Sequence, residues 1–258
     1  MKITVLLENT SKRTDIKTEH GLSLYIETEI GNILFDMGQS TFFAENAKML
    51  GIDLQKVDIA ILSHGHYDHG GGLAEFLKIN SRAPILIHRD AFLPHYNGTE
   101  KYIGLDISLA QNPRIIFTDD VYRITPSVSL YSCNQKERTY NFGSFGLTEK
   151  TSEQFIEDDF RHEQYLLIEE NGKRILFSGC SHKGISNIVS WFSPDILIGG
   201  FHFSKMLLDE NLRHKAKELN TYPTEFYTCH CTGEAQFLFM KEEMPRLHYL
   251  ACGETIII

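Results

Sequence analysis

What this chain has little of narrows its class before any motif is read. No apolar run approaches the roughly 20 residues that a membrane-spanning helix needs. The opening stretch MKITVLLENT turns polar too early for a secretory leader. The expected compartment is therefore the cytoplasm, with no membrane partner. Cationic excess is also missing: 25 Lys and Arg face 34 Asp and Glu, a formal charge of −9. That argues against a nucleic-acid backbone as the main partner, and leaves room for a small anionic substrate held by a few local cations. Cysteine is sparse and odd in number, at five. In a reducing compartment these read as buried thiols, metal ligands or reactive thiols, not as a disulfide framework. Low-complexity linkers and repeats of fixed period are absent. With 258 residues the chain is expected to form a single domain over 1–258, able to bury a core without covalent staples.

The patterning is mixed. KITVLLEN is apolar and β-rich, and LSLYIET and NILFDMG flank the turn-like EIGN, which predicts a hairpin. STFFAENAKMLG places Phe43, Ala47 and Leu50 at helical spacing, with Gly51 as a stop. KVDIAILSHGH is a short strand, and GGLAEFLKIN a helix after it. PILIHRDAF reads as another strand; residues 89 to 112 mix aromatics and glycines with polar groups and read as a loop or cap. Strand patterns return at RIIFTDD, SVSLYSC, QYLLIEENGKRILFSGCSH, PDILIGGFHF and EFYTCHCTG, with helices at ISNIVSWF, DENLRHKAKEL and about 234–243. Two mixed β/α halves with polar clusters at strand ends suit two packed sheets with helices outside.

One stretch stands out. LSHGHYDHGGG puts His64, His66, Asp68 and His69 within six positions, directly after an apolar strand. Zinc takes neutral imidazole nitrogen and carboxylate oxygen. His64 and His66, two apart, point the same way in an extended segment. Asp68 and His69 lie past the bend, where they can face a second ion. The glycines after them permit a tight turn at a helix N-terminus.

HGHYDH resembles the HxHxDH signature of the metallo-β-lactamase superfamily, and further parts of that pattern follow in order. NILFDMG resembles the first motif, whose aspartate, here Asp36, supports the metal loop from behind the ligands. RILFSGCSHKG resembles the strand-end motif that carries a bridging aspartate, and FYTCHCTG supplies His230 at the place of the last ligand. The resemblance spans nearly the whole chain. It implies an α/β fold, the αββα sandwich with two mixed sheets and helices outside. GCSHKG, GGFHFS and CHCTG together are similar to the group named for a dihydropterin–ribofuranosylaminobenzene 5′-phosphate synthase, many of whose members are described only as metal-dependent hydrolases.

The departures from that pattern matter as much. Cys180 stands where the bridging aspartate is usual, and can bridge, ligate one ion or fill space. His162 is the one nearby histidine in the preceding segment, and His182 is the better candidate for the missing ligand. The resemblance then implies one ion on His64, His66 and His182 and another on Asp68, His69 and His230. One or two divalent ions are expected, zinc first, with manganese or iron compatible with the same donors.

The implied activity is hydrolysis, a metal-bound hydroxide attacking a phosphoryl or carbonyl centre. Asp68 orients the nucleophile and His202 protonates the leaving group or holds the substrate. Two alternatives stay open. One is a synthase joining a pterin methyl diphosphate to a ribofuranosylaminobenzene phosphate; the other is a non-catalytic, metal-dependent ligand-binding module. The expected partner is a small molecule, phosphorylated or pterin-like.

Several further residues carry two readings each. His202 is either a half-buried strand-end histidine or a substrate-facing donor, favoured by the glycines beside it. Cys229 and Cys231 are expected on the strand face opposite His230, as core or supporting thiols. Cys133 and Cys252 are expected to pack. Arg82, Arg89, Arg114, Arg161 and Lys183 are candidate phosphate ligands or solvated charges, with Lys183 the best placed. Phe92, Tyr96 and Tyr102 either line a flat-ring pocket or pack a cap.

Overall fold

The computed structural model describes all 258 residues. The chain divides into two compact units, one made of Met1–Asp119, Ser144–Gln164 and Ala251–Ile258, the other of Asp120–Gly143 and Tyr165–Leu250.

The first unit is built on a seven-stranded sheet in the order Thr255–Ile257, Lys2–Leu7, Ser23–Thr28, Gly31–Phe35, Ile59–Ile61, Ile85–His88, Ile115–Thr118. Its first four strands pair antiparallel and the rest parallel. The expected hairpin is present, with Thr28 opposite Gly31. Gly31 sits at φ 121°, a region that L side chains rarely enter. The parallel strands are continuous apolar runs, as strands buried on both faces are. Ile85–His88 is buried throughout, and so are Ile33, Leu34 and Phe35. The expected helix forms over Phe42–Met49, turning Phe43 and Ala47 inward. Burying a phenylalanine such as Phe43 or Phe76 is worth about 1.5–3 kcal/mol relative to leaving it in water.

A second, four-stranded sheet in this unit runs Phe155–Glu157, Leu147–Lys150, His95–Asn97, Lys101–Tyr102, all antiparallel. Two of its strands, with short 3₁₀ turns at Arg89–Phe92 and Ile107–Gln111, lie in the stretch read from sequence as a loop or cap. Each strand is two to four residues long. His95–Asn97 pairs locally with Lys101–Tyr102, but its other partner, Leu147–Glu149, lies some fifty residues on, and strands this short show no periodicity that announces either pairing. A satellite core of Ile103, Leu147 and Phe160, with Tyr67 against it, holds this sheet.

The second unit carries a seven-stranded sheet in the order Leu247–Tyr249, Glu225–Thr228, Ile196–Gly199, Lys173–Ser178, Tyr165–Glu170, Val128–Tyr131, Val121–Thr125. The first four run parallel. Helices Ile185–Phe192, Glu210–Asn220 and Glu234–Lys241 return the chain between them. The longest begins at Asp209, whose carboxylate accepts from the backbone N–H of Asn211 at 3.0 Å, a typical N-cap. Tyr165–Glu170 and Lys173–Ser178 meet through Asn171 and Gly172, both at positive φ (54° and 74°); Asn-Gly is the pair that a two-residue hairpin turn favours. No helix of either unit is long and apolar enough to cross a membrane.

Candidate metal centre

In the first unit, two adjacent parallel strands end side by side. Asp36 follows Gly31–Phe35, Ser63 and His64 follow Ile59–Ile61, and the ladder continues past both strands, with Asp36 N–H donating to Ile61 O at 2.9 Å. Asp36 is fully buried and adopts φ 61°. That conformation is uncommon for a non-glycine residue and collects at functional sites. Its carboxylate gathers the loop. One oxygen accepts from Ser63 N–H at 2.7 Å. The other accepts from the Ser63 hydroxyl at 2.7 Å and from His69 Nδ1 at 2.6 Å.

These bonds fix two tautomers. The Ser63 hydroxyl spends its single proton on Asp36, so its 2.8 Å contact with His64 Nδ1 makes that nitrogen the donor. His69 Nδ1, facing a carboxylate, is likewise the donor. A neutral imidazole carries one N–H and one lone pair. His64 and His69 therefore both present Nε2 lone pairs, the arrangement in which a carboxylate or hydroxyl behind a histidine prepares it for a metal.

The chain stays extended through His66 (φ −95°, ψ 147°) and then makes one helical turn over Tyr67–Gly70. The three rings pack together, with centroids 4.6 Å apart for His64 and His66 and 4.1 Å apart for His64 and His69. Gly65 between them is needed for close approach, since a Cβ there would meet Ala91 O at 2.2 Å. Asp68 Oδ2 lies 3.8 Å from His69 Nε2 and 3.2 Å from Nε2 of the exposed His20. Two ligands on one tetrahedral ion with bonds of 2.0–2.2 Å sit roughly 3.4 Å apart. Burial, reinforced by His162, holds the His66 imidazole well below its ordinary pKa, in the neutral form that a metal binds.

In the second unit, Lys173–Ser178 ends at the loop carrying Cys180 and His182, and Ile196–Gly199 ends at His202. The His182 and His202 ring centroids are 4.3 Å apart. Cys180, His202 and Cys231 bring their donor atoms within 4.8 Å of one another. The backbone is left-handed at Ser181 (59°), His202 (56°) and His230 (50°). Burial would raise the Cys231 thiol, but hydrogen bonds with Cys180 and His202 and the nearby His230 outweigh it, and hold the thiol well below its ordinary pKa.

Several sequence expectations meet a different structure here. Glu225–Thr228 ends before Cys229, and His230–Thr232 is a 3₁₀ turn. Strand alternation does not continue to Cys231, whose sulfur lies with the donor atoms of Cys180 and His202. The glycines before His202 answer to the protein's own atoms. A Cβ on Gly199 would meet Ser178 O at 1.8 Å, and one on Gly200 would meet Cys231 Sγ at 2.3 Å. Lys183 is buried, its ammonium donating to Ser132 O at 2.6 Å and Asn134 Oδ1 at 2.8 Å, so it serves the fold and not a phosphate. Arg82 pairs with Asp58, Arg89 with Asp119 and Arg161 with Asp159, while Arg114 donates to Leu77 O. Phe92 packs in the first unit's core. Tyr96 and Tyr102 stack edge to face, and the Tyr102 hydroxyl donates to Leu105 O. Cys252 packs as expected, between Leu6 O and Asn46.

Chemistry supports a metal here. His64, His66, Asp68, His69, His182, His230 and Cys180 are all buried. Imidazole nitrogen, carboxylate oxygen and thiolate sulfur are the donors that zinc takes.

The profile of the metallo-β-lactamase superfamily matches residues 17–220. The chain belongs to the metallo-β-lactamase superfamily. A relative from Methanocaldococcus jannaschii, named 7,8-dihydropterin-6-methyl-4-(β-D-ribofuranosyl)-aminobenzene-5′-phosphate synthase, is 31% identical over 90% of this chain and 88% of its own. The crystal structure of Tm1679, described as a metal-dependent hydrolase of the β-lactamase superfamily, superposes with a TM-score of 0.86 and is 28% identical. That match covers 100% of this chain and 99% of Tm1679. The metallo-β-lactamase fold protein YhfI of Bacillus subtilis shares the fold at 15% identity, with a TM-score of 0.60 over 99% and 98% of the two chains. The fold class is thus the mixed α/β, αββα sandwich type expected from the motifs.

The sequence reading missed His95, Asp158, Ser63 and His20. Ser63 adjoins the HxH pair and was open to notice. His95 and Asp158 are 63 residues apart and belong to no motif.

Proposed function

We propose that this metallo-β-lactamase superfamily member is a metal-dependent hydrolase of a small molecule with a phosphoryl or carbonyl centre. The observation that carries the reading is the pair of fixed tautomers. Asp36 and Ser63 engage the Nδ1 protons of His64 and His69, so both rings present Nε2 lone pairs in the loop that also carries His66 and Asp68. The ligand sets are assigned from the order of motifs along the chain: His64, His66 and His182 for one ion; Asp68, His69 and His230 for the other, with Cys180 as a further donor. When bound, such ions lower the pKa of water from 15.7 to about 7 and stabilise developing charge. Asp68 orients the attacking oxygen. His202, half-buried, delivers a proton to the leaving group. Zinc is the first choice of ion for this donor set.

The test is elemental analysis of protein purified without added metal, followed by turnover of phosphodiester and lactone panels before and after chelation. We expect one or two equivalents per chain, loss of turnover on stripping and recovery on adding zinc or manganese. Full activity in stripped protein would overturn the reading.

A second reading has one observation in its favour, the synthase name of the 31% identical relative. Incubation with a dihydropterin methyl diphosphate and a ribofuranosylaminobenzene phosphate distinguishes the two. Coupled product supports the synthase, and hydrolysis alone supports the first reading.

A further inference from the structure

Beside the metal loop lies a buried cluster of which that reading uses only His66. Donor atoms of His66, His95, Asp158 and His162 lie within 4.8 Å of one another. His95 comes from a strand of the four-stranded sheet, and Asp158 directly follows another, Phe155–Glu157. All four side chains are buried. Three imidazoles and a carboxylate are also donors that a cation takes, so the first question is whether they bind an ion or each other.

The hydrogen bonds decide it. Gly65 N–H donates to His162 Nδ1 at 2.9 Å. A neutral imidazole has one lone-pair nitrogen, and in His162 it is spent on Gly65. Its proton must then be on Nε2, which faces Asp158 Oδ2 at 3.3 Å. The same oxygen lies 2.8 Å from His95 Nδ1, a hydrogen-bond length well inside the roughly 3.4 Å between ligands of a tetrahedral ion with 2.0–2.2 Å bonds. An ion at the centre would need the His162 lone pair that Gly65 already occupies.

We propose that His95, Asp158 and His162 form a positioning relay: Asp158 selects the Nε2–H tautomer of His162, and His162 then holds the Gly65 amide and so sets the loop carrying His64 and His66. The proposal rests on the reading of that loop as the metal loop. It also gives the four-stranded sheet a task, since that sheet brings His95 and Asp158 to His162. Gly65 is gripped from two sides. His162 takes its N–H, and Ala91 O stands where any Cβ would go. The relay acts through the loop; none of its three members touches the substrate.

The experiment is nitrogen-15 NMR of the histidine rings and of the Gly65 amide, on the protein as purified and after chelation. We expect His162 protonated on Nε2 with Nδ1 as acceptor. The Gly65 amide proton should be shifted downfield in the wild type and in His162→Asn, whose amide oxygen takes the place of Nδ1, and should lose that shift in His162→Leu. Metal affinity, by competition with a chelator, should fall about 10–100-fold in Asp158→Asn and His162→Leu, and recover in His162→Asn. Protonation of His162 on Nδ1 in the wild type would overturn the relay without reference to any variant's folding. So would loss of one metal equivalent in His95→Ala, which would mark the cluster as a cation site. The two readings fail separately. A wild type that binds no metal, yet shows the Nε2–H tautomer and the shifted Gly65 amide, sinks the hydrolase and leaves the relay standing. A metal-loaded wild type with His162 protonated on Nδ1 does the reverse.

Discussion

The two units arrange their donor side chains by different means. In the first, carboxylates do it. Asp36 and Asp158 sit behind the histidines and fix rings through their Nδ1 or Nε2 protons. In the second, the backbone does it. Ser181, His202 and His230 are all in the left-handed region, and the polar neighbours of His202 include sulfur, Cys231 Sγ accepting its N–H at 3.3 Å. The first arrangement suits a set of imidazoles and oxygen that must be held neutral and aimed. The second gives softer donors, and each of its unusual residues, like Asp36 in the first, carries strain of order 1–3 kcal/mol. The comparison teaches that a ligand can be oriented from behind by an acid, which substitution can remove, or from beneath by a conformation, which it cannot easily remove.

The largest effect tests whether the first cluster dominates. His66→Ala should abolish turnover by orders of magnitude and lower the metal content, whereas His202→Ala, which removes a proton donor, should cost about 10²–10⁴-fold in kcat with metal content unchanged. Equal metal loss in the two variants, read by elemental analysis, would erase the distinction between the clusters.

A smaller effect sharpens the role of the acids. Asp36→Ala leaves every ligand in place but frees His69 and the Ser63 hydroxyl. Metal affinity should fall about 10–100-fold, measured by chelator competition. An unchanged affinity would mean that the His64 and His69 rings are held by packing alone.

The smallest effect compares two thiols, both buried. Cys231 is held well below its ordinary pKa by Cys180, His202 and His230 against the effect of burial, while burial pushes Cys252 up to about 12. In chelated protein near pH 7, a thiol reagent should modify Cys231 before Cys252, as mass spectrometry of the peptides would read. Thiolate character governs such reactions, so the opposite order would show that the second cluster is no more polar than an ordinary core.

Much of the fold was legible along the chain, because its elements follow local rules. The Asn-Gly turn at 171–172, the helix at Phe42–Met49 and the parallel apolar strands follow from chemistry within a few residues of each other. The four-stranded sheet was not legible. Its strands are too short for a period, and His95–Asn97 pairs with residues some fifty positions on. Within the centre, His64, His66, Asp68 and His69 could be picked out because they are adjacent. The strand alternation used to place Cys231 stops short of it, because the strand ends at Thr228, a boundary that residue types alone do not show.

By itself, then, the sequence determined the superfamily, the order of most strands and helices, and the candidate donor types, since each depends on neighbours in the chain or on motifs in a set order. Tertiary structure alone decided the protonation pattern. Which nitrogen of His64, His69 or His162 carries the proton depends on Asp36, Ser63, Gly65 and Asp158. Apart from Ser63 beside His64 and Asp158 four residues before His162, those partners are remote along the chain from the rings they set, and hydrogen bonding acts through space.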